Sequence, residues 1–365
     1  MIKKYKLTNE TIKVLDTTLY RIKALRSFNN VTEGDLGGFV EGESNLSQEG
    51  DSWVYNDARV YGKAQVYGKA LVYDNARVYG EAQVYGDALV HDNARVYGEA
   101  QVYGDAQVYV AAQVYDNARV AGDARVYGNA LVYNDARVYG DARVYGDARV
   151  YGDARVSGDA RVYGEAQVYG KVQVYGRALV YDNARVYGEA QVYGEAQVYG
   201  KALVYDNARV YGDTRVYGNA LIHNDALVYG NSCIYHNAQV YGDAQVYGDA
   251  RVYGDARVYG DSCIYHNAQV YGDAQVYGDA QVYGKARVSG AAIVTKLREF
   301  ISINNPKHII TVTKNHIQIG CEMHTIEYWR RNIVKIGRAN SYTDKEIKGV
   351  ISILKGVFVY RRGLN

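Results

Sequence analysis

Aliphatic residues recur along most of this chain at a fixed spacing of six. Val or Ile occupies every sixth position from Val54 to Val294, which makes 41 consecutive six-residue units, or hexads, without an insertion. The commonest hexad reads Ala-Arg/Gln-Val-Tyr-Gly-Asp, as in residues 136–141. Ala and Val are two residues apart, so in an extended segment both point to one face and the intervening Arg or Gln points to the other. The pattern therefore predicts short strands that bury Ala and Val.

The end of each hexad predicts a bend. Gly followed by Asp, or Asp next to Asn, is typical of turns, and it follows a strand of about three or four residues. Such segments fit neither a helix nor an ordinary hairpin sheet, so the chain must coil and each strand must pair in register with the strand one full coil away. The periodicity predicts a mainly β fold, a parallel β-solenoid. Its interior, filled by Ala and Val, leaves no room for a ligand.

The residues before the hexads predict a β cap. A solenoid with open ends exposes strand edges and invites end-to-end polymerisation. Val40 and Leu46 already show the hexad spacing, and an eight-residue step then leads to Val54. We therefore expect residues 1–51 to form an N-terminal β cap that merges into the first coil, and residues 52–294 to form the solenoid.

The residues after the hexads, 295–365, predict a small α/β cap. Two apolar segments flank Lys314 and Asn315, which indicates a hairpin. Apolar residues at helical spacing predict a helix from His324 to about Asn340. Thr343 and the glutamate three residues later form a capping box that predicts the start of a last helix.

The net charge of +2 is unevenly distributed. Residues 1–51 carry a net charge of −1, residues 52–294 of −5 and residues 295–365 of +8. Attraction for an acidic partner is therefore expected only in the C-terminal cap. The candidate docking residues there are Arg330, Arg331, Lys335, Arg338, Arg361 and Arg362. No nucleic-acid motif accompanies them, which favours a protein partner over nucleic acid.

The sequence also predicts where the chain resides. The basic start of the chain lacks the apolar run of a secretory signal, and no apolar stretch is long enough to span a membrane. The three cysteines are an odd number, widely spaced, and need no disulfide framework. We expect a cytoplasmic protein in a reducing environment that does not associate with membranes.

Tyrosine follows the core aliphatic residue in 35 of the 41 hexads. The exceptions are His91, Ala121, Ser157, His223, Ser289 and Thr295. If each tyrosine lies above another one coil away, the rings form outward ladders, and each stacked pair contributes about 0.5–1.5 kcal/mol. The ladders then stabilise the fold; alternatively they form a recognition surface, since tyrosine-rich surfaces bind at low entropic cost. Representative ladder residues are Tyr139, Tyr145, Tyr151, Tyr163 and Tyr169.

The whole chain resembles the hexapeptide-repeat proteins of bacteria, phages and prophages known as the YdcK-like group, which are often named acyltransferases. The residues that carry the resemblance are the hexads together with segments 34–40, 45–50 and 320–329. The resemblance implies a left-handed, three-sided parallel β-helix with 18-residue coils, and a phage or prophage context. At a strand spacing of roughly 4.8 Å, the hexads would form a rod roughly 65 Å long. The chain departs from the family pattern in placing Tyr after the aliphatic residue, where a small or acidic residue is usual.

Acyl transfer from acetyl-CoA is the main enzymatic alternative that the resemblance implies. Hexapeptide-repeat acyltransferases usually place the site between the solenoids of a trimer, with a catalytic histidine and a loop extruded from the coils. The hexads here contain no extruded loop, and the solenoid histidines read as isolated replacements. His91 and His223 are the candidate catalytic residues, although the sequence assigns no catalytic role to them.

Three Cys-x-x-His pairs raise the question of a metal site, which needs about four converging ligands. Two of the pairs lie in the duplicated blocks 232–238 and 262–268, which are five hexads apart. Because five is not a multiple of three, the two pairs fall on different sides of a three-hexad coil and cannot share an ion. Cys321 and His324 are the remaining candidates. The sequence predicts no metal and no cofactor.

Together, these features predict a non-enzymatic structural or binding rod that presents ladders of Tyr, Arg and Asp to a macromolecular partner. The partner is expected to be a protein, and the rod a monomer or a small oligomer formed through its lateral faces. If the chain is phage-encoded, it is expected in the host cytoplasm or the virion.

Overall fold

The computed structural model describes residues 3–290, 292–294, 301–304, 308–313, 316–320 and 322–362. Side chains are described for the same residues except 301–304, 309 and 359–362. Within these limits the chain forms a long solenoid between two caps. A strand begins at every sixth residue from Trp53–Val54 to Ile293–Val294. Each strand has two residues, apart from the three-residue strands Arg149–Tyr151 and Gln167–Tyr169.

The solenoid strands stack into three parallel sheets, one on each side of the coil. Each strand before the last coil pairs with the strand three hexads later, as Val126 pairs with Val144. The first face begins with Trp53–Val54 and has 14 strands; the third face begins with Gln65–Val66 and has 13. The second face begins with Arg59–Val60 and is extended by three N-terminal strands into a 17-stranded sheet. The expected three-sided coil, repeated over about 14 turns, is confirmed.

The interior of the solenoid is a column of alternating small and medium-sized side chains. Ala142 and Val144 are fully buried, and so are the residues at the same positions of the other hexads. Backbone hydrogen bonds join successive coils: the Arg143 amide donates to the Ala160 carbonyl at 2.9 Å. The backbone polar groups are thus satisfied between coils while apolar area is removed from water within them.

The corners of the coil require a left-handed backbone. Gly140 and Gly146 have φ of 67° and 71°, which glycine adopts without a steric penalty. Asp, Asn or His takes this position in several hexads, among them His236 and His266 with φ of 61° and 57°. The exception in residue type is Val110, a β-branched residue with φ of 63° and a side chain 44% exposed. Its corner is therefore strained.

Replacing Val110 with Gly is expected to raise the free energy of unfolding by up to about 1 kcal/mol. A left-handed backbone disfavours an L residue by roughly 1–2 kcal/mol, and the greater flexibility that glycine gives the unfolded chain offsets part of this gain. The reverse change, Gly146→Val, should be destabilising by at least as much, since its Cβ would lie 3.0 Å from the Gly164 amide nitrogen. Urea unfolding followed by circular dichroism measures both variants. Equal stability of all three proteins would contradict the strain at Val110.

The N-terminal cap continues the second face by pairing with its first strand. Strands β1 (Tyr5–Val14) and β2 (Thr17–Ala24) form an antiparallel hairpin, and β2 pairs with β3 (Leu36–Val40). Strand β3 then pairs in parallel with Arg59–Val60. A 3₁₀ turn spans Glu43–Asn45. The cap therefore adds a partial coil above the first complete one, which covers the strand edge.

A buried lysine fastens this cap to the solenoid. The side chain of Lys4 is fully buried, and its Nζ donates hydrogen bonds to the Ser52 carbonyl at 2.9 Å and to the Glu49 carbonyl at 3.3 Å. Burial is the main cause that lowers the pKa of Lys4 to about 8. The Tyr5 hydroxyl donates to the Leu46 carbonyl at 2.7 Å. These bonds tie the first strand to the loop that leads into the hexads.

The C-terminal cap is an antiparallel sheet followed by two helices. Its bounds are β4 (Ile301–Asn304), β5 (Ile309–Val312), β6 (His316–Ile319), β7 (Glu322–Thr325), α1 (Ile326–Ala339) and α2 (Asp344–Arg362). Strands β5 and β6 form the expected hairpin. The capping box is also present: the Thr343 amide donates to Glu346 Oε2 at 2.7 Å, and the Glu346 amide donates to Thr343 Oγ1 at 3.3 Å. Neither helix, over its described residues, is long and apolar enough to cross a membrane.

Side chains of the C-terminal sheet close the last coil. Gln318 on β6 donates from Nε2 to the Tyr271 hydroxyl at 2.8 Å and accepts a hydrogen bond from Ser289 Oγ at 3.1 Å. The Arg287 amide donates to Thr311 Oγ1 at 3.3 Å. The cap thus supplies polar partners to the end of the solenoid.

Candidate functional site

Tyrosines of successive coils stack face to face along each side of the solenoid. On the first face, the ring of Tyr145 lies 4.8 Å from that of Tyr127 and 4.9 Å from that of Tyr163, measured between centroids, with the planes within 2° of parallel. On the second face, Tyr151 and Tyr169 stack at 4.8 Å. These spacings equal the distance between paired strands. The expected ladders are therefore present on both faces.

Stacking removes the ladder rings partly from water and changes their acidity. Burial is the main cause that raises the pKa of Tyr115 and of Tyr181 to about 12. The pKa of Tyr145 and of Tyr163 rises for the same principal reason. A phenolate in the ladder would also face the rings above and below it. Burial in the ladder thus favours the neutral form of these four side chains.

The ladder on the third face is interrupted. Ala121 and Ser157 occupy two tyrosine positions, one coil before and one coil after Tyr139. Tyr139 consequently has no stacked aromatic neighbour in the described solenoid, and its side chain is 41% exposed. The expectation that each ladder tyrosine lies above another is wrong for this residue. The ladder is complete again on either side, from Tyr103 towards the N-terminus and from Tyr175 towards the C-terminus.

A groove of about 220 Å³ lies at this interruption. Tyr103 and Tyr139 form its two ends along the ladder, and Ala121 forms its floor. Three exposed guanidinium groups border it, those of Arg119, Arg137 and Arg155.

His91 replaces tyrosine in the first ladder and lies beside two carboxylates. Its ring stacks on Tyr109 at 4.8 Å and meets Tyr73 edge-on at 6.5 Å. Its Nδ1 lies 3.1 Å from Asp92 Oδ2, and ligand atoms of Asp74, His91 and Asp92 all lie within 4.8 Å of one another. No other trio of His, Cys, Asp or Glu in the described part of the chain is arranged in this way. His91 is thus an isolated replacement in the repeat, and the coiling of the chain brings Asp74 beside it as well as Asp92.

His223, the other candidate, fills the place of a tyrosine in the second ladder. Its ring stacks between Tyr205 at 4.7 Å and Tyr241 at 4.9 Å. Its Nδ1 lies 3.1 Å from Asn224 Oδ1. His223 therefore packs in the ladder in the same way as the tyrosine ring that it replaces.

The duplicated Cys-x-x-His pairs lie on different faces, as expected. Cys233 belongs to a strand of the first face, whereas Cys263 belongs to the third. His236 and His266 occupy corners. The two pairs therefore cannot bind one ion.

The basic residues of the C-terminal cap are partly neutralised by neighbours. Arg331 pairs with Glu327 one helical turn earlier at 2.7 Å, and Arg338 pairs with Asp344 at 3.4 Å. All these pairs are exposed and are worth little in water. The candidate docking residues that lie exposed on α1 are Arg330, Arg331, Lys335 and Arg338.

Three candidate side chains, those of Arg361, Arg362 and Cys321, lie outside the part of the chain that the structure describes. His324, the proposed companion of Cys321, has its Nε2 2.9 Å from Glu322 Oε2. The hydrogen bond with His324 is the main cause that lowers the pKa of Glu322. His324 is thus engaged by a carboxylate.

Loss of one stacked ring is expected to destabilise the solenoid. Tyr145→Ala removes two stacked pairs and should lower the free energy of unfolding by about 1–3 kcal/mol. Tyr139→Ala removes a ring without a stacked neighbour and should have a smaller effect, which makes it the matched control. Thermal unfolding of both variants, followed by circular dichroism, measures the difference. Equal losses would contradict a stabilising role for the ladders.

The sequence profile of the YdcK β-solenoid repeat matches the hexads at many places along the solenoid. The matched residues are 64–81, 82–98, 112–125, 124–140, 136–152, 142–157, 154–170, 172–188, 180–194, 196–212, 202–218, 244–260, 250–266 and 280–295. No curated protein sequence matches the chain.

A solved structure with partial similarity is that of a UDP-N-acetylglucosamine acyltransferase from Arabidopsis. It is 12% identical to this chain, with a TM-score of 0.22, and the match covers 72% of this chain and 78% of the Arabidopsis protein. A similarity at this level carries no argument about function. The repeat profile and the three-hexad coil agree with each other, and the solenoid of this chain therefore belongs to the family of YdcK β-solenoid repeats.

Proposed function

We propose that this protein is a non-enzymatic binding rod whose tyrosine ladders and exposed arginines form the surface for a protein partner. The observation that carries the proposal is the combination of a filled interior with ladders whose stacked tyrosine rings lie 4.7–5.4 Å apart along the rod. A surface of stacked rings is already ordered, so binding to it orders few additional side chains.

Charge on the faces gives such a surface its specificity. Each face carries one run of three arginines in successive coils. These runs are Arg125, Arg143 and Arg161 on the first face, Arg59, Arg77 and Arg95 on the second, and Arg119, Arg137 and Arg155 on the third. Like charges at strand spacing repel one another, and an acidic partner surface would relieve this repulsion. In a phage or prophage setting, the partner would lie in the host cytoplasm or the virion.

The experiment compares the rod with three variants in which one arginine run at a time is replaced by glutamine. Glutamine is the common alternative at this position of the hexad, so the variants should fold. Affinity capture from bacterial lysate, read by mass spectrometry, should recover a protein that one variant loses and the other two retain. Capture of the same proteins by all four forms would contradict the proposal.

Acyl transfer is a second candidate, favoured by the arrangement at His91. A histidine held by a carboxylate can act as a general base, and His91 Nδ1 lies 3.1 Å from Asp92. If the protein is an acyltransferase, acetyl-CoA should bind in calorimetry and His91→Ala should abolish transfer. His223→Ala is the matched control, because that histidine also replaces a ladder tyrosine but lies beside Asn224 and not beside a carboxylate. Absence of acetyl-CoA binding would remove this candidate.

A further inference from the structure

The break in the third ladder leaves spaces of a defined size. In the intact part, Tyr85 and Tyr103 stack at 4.9 Å. Tyr103 and Tyr139 are two coils apart, so a gap of roughly 10 Å separates their ring planes. Ala121 lies between them and is 8% exposed. One flat ring placed over Ala121 would have the spacing of the ladder on both of its faces.

A second space of the same kind lies on the other side of Tyr139. Ser157 separates Tyr139 from Tyr175, which is again two coils away. Tyr139 therefore presents both faces of its ring to unfilled ladder positions, which agrees with its 41% exposure.

An arginine lies beside the ladder position in each of the three coils around these spaces. Arg119, Arg137 and Arg155 lie two residues before Ala121, Tyr139 and Ser157, and alternate residues of a strand point to the same side. Elsewhere on the third face this position is an arginine only at residue 209; the others are Gln, Leu or Cys. The interruption of the ladder thus coincides with the longest run of positive charge on this face.

The three guanidinium groups have no acidic partner among the described residues. The acidic residues nearest in sequence, Asp116, Asp135 and Asp153, lie two or three residues before these arginines, at the corners of the coil that precede each strand. Three like charges at strand spacing favour an anion that bridges them.

We propose that this groove binds a nucleoside phosphate, with the base inserted between Tyr103 and Tyr139 and the phosphate held by Arg119 and Arg137. Base stacking on aromatic side chains and phosphate binding by arginine are the two interactions that these residue types provide. The ring position and the arginine position are two residues apart along the strand, or roughly 6.6 Å. This separation is comparable with that between the base and the 5′-phosphate of a mononucleotide. The space over Ser157, between Tyr139 and Tyr175, offers a second position of the same kind.

The first face provides a natural comparison. It carries the same run of arginines, Arg125, Arg143 and Arg161, but its tyrosines at positions 127, 145 and 163 form an unbroken ladder. Both faces therefore carry the run of arginines, but of these two faces only the third also has a space for a ring. Binding that depends on both features should distinguish the two faces.

The test is calorimetric titration of the full chain with AMP, adenosine and ribose 5-phosphate. AMP should bind with a Kd of about 1 mM or lower, and each fragment should bind about tenfold more weakly or more, because it lacks either the charge or the ring. Failure to bind AMP at millimolar concentration would overturn the proposal, and so would equal binding of AMP and ribose 5-phosphate.

Two sets of variants locate the site. The double variant Ala121→Tyr and Ser157→Tyr restores the consensus ladder, so it should fold at least as stably as the original chain and lose AMP affinity by about tenfold or more. Replacing Arg119, Arg137 and Arg155 by Gln should have a similar effect on affinity, whereas the same replacement of Arg125, Arg143 and Arg161 should leave it unchanged. Unchanged binding in the refilled ladder, or equal losses on the two faces, would overturn the assignment.

Discussion

Raising the pH from about 10 to above 12 is expected to unfold the solenoid. Tyrosine in an unfolded chain ionises near pH 10, whereas the pKa of Tyr115 and of Tyr181 in the ladders is about 12. Between these values the folded chain holds protons that the unfolded chain has released. Stability must therefore fall as the pH rises, by about 1.4 kcal/mol per pH unit for each proton of difference. With 40 tyrosines in the chain, a difference of a few protons is enough to exceed a typical folding free energy of about 5–15 kcal/mol.

Two signals recorded in one titration measure this transition. Phenolate absorbance should lag behind that of free tyrosine and then rise together with the loss of β-structure in circular dichroism. Replacing Tyr145, Tyr163 and Tyr181 with Phe keeps the stacked rings and removes three groups whose pKa burial raises, so the midpoint should move to higher pH. Phenolate formation near pH 10 with unchanged circular dichroism would contradict the effect of burial on the ladder pKa values.

A charge placed in the core is expected to have the largest effect of any single substitution. Val144 is fully buried between neighbouring coils, and Val144→Asp leaves a carboxylate there without a partner. The expected loss is about 3–5 kcal/mol. Each coil contacts only its neighbours, so the damage should divide the solenoid into segments that unfold separately. Urea unfolding should then show two transitions in place of one.

Val144→Ile is the matched control for this substitution. Isoleucine occupies the same core position at Ile222, Ile234 and Ile264, where it is fully buried. The change should therefore alter the free energy of unfolding by less than about 1.5 kcal/mol. If the aspartate variant were as stable as the isoleucine variant, the tightly filled column of Ala and Val would be the wrong description of the interior.

The sequence was sufficient to predict the solenoid because its signal is local and repeated. Each hexad places Ala and Val two residues apart and a turn after them. This pattern specifies a strand and a bend in every hexad without any information about contacts distant in sequence. The caps were predictable where a local pattern acts, as the apolar spacing does in α1 and the capping box does at Thr343 and Glu346. Strands β4 and β7 carry no such motif, and pairing partners define them instead.

The features of the candidate sites that were missed depend on residues one coil apart. Asp92 directly follows His91, but Asp74 lies at the same corner one coil earlier, so the coil length is needed before the closeness of Asp74 to His91 can be seen. The coil length is also needed to see that Ala121 and Ser157 lie on either side of Tyr139. The burial of Lys4 had no signal at all, because the carbonyl groups that bind it belong to a loop that is distant in sequence.

The number of hexads also sets the rotation of one cap relative to the other. Three hexads complete a turn of the coil. Insertion of three hexads would therefore lengthen the rod and keep the angle between the two caps. Insertion of one hexad would rotate the C-terminal cap by a third of a turn about the axis of the rod. The repeated blocks 232–238 and 262–268 differ by five hexads and accordingly face different directions. Growth of the gene by duplication of single hexads therefore changes the angle between the two caps without any change in the packing of the core.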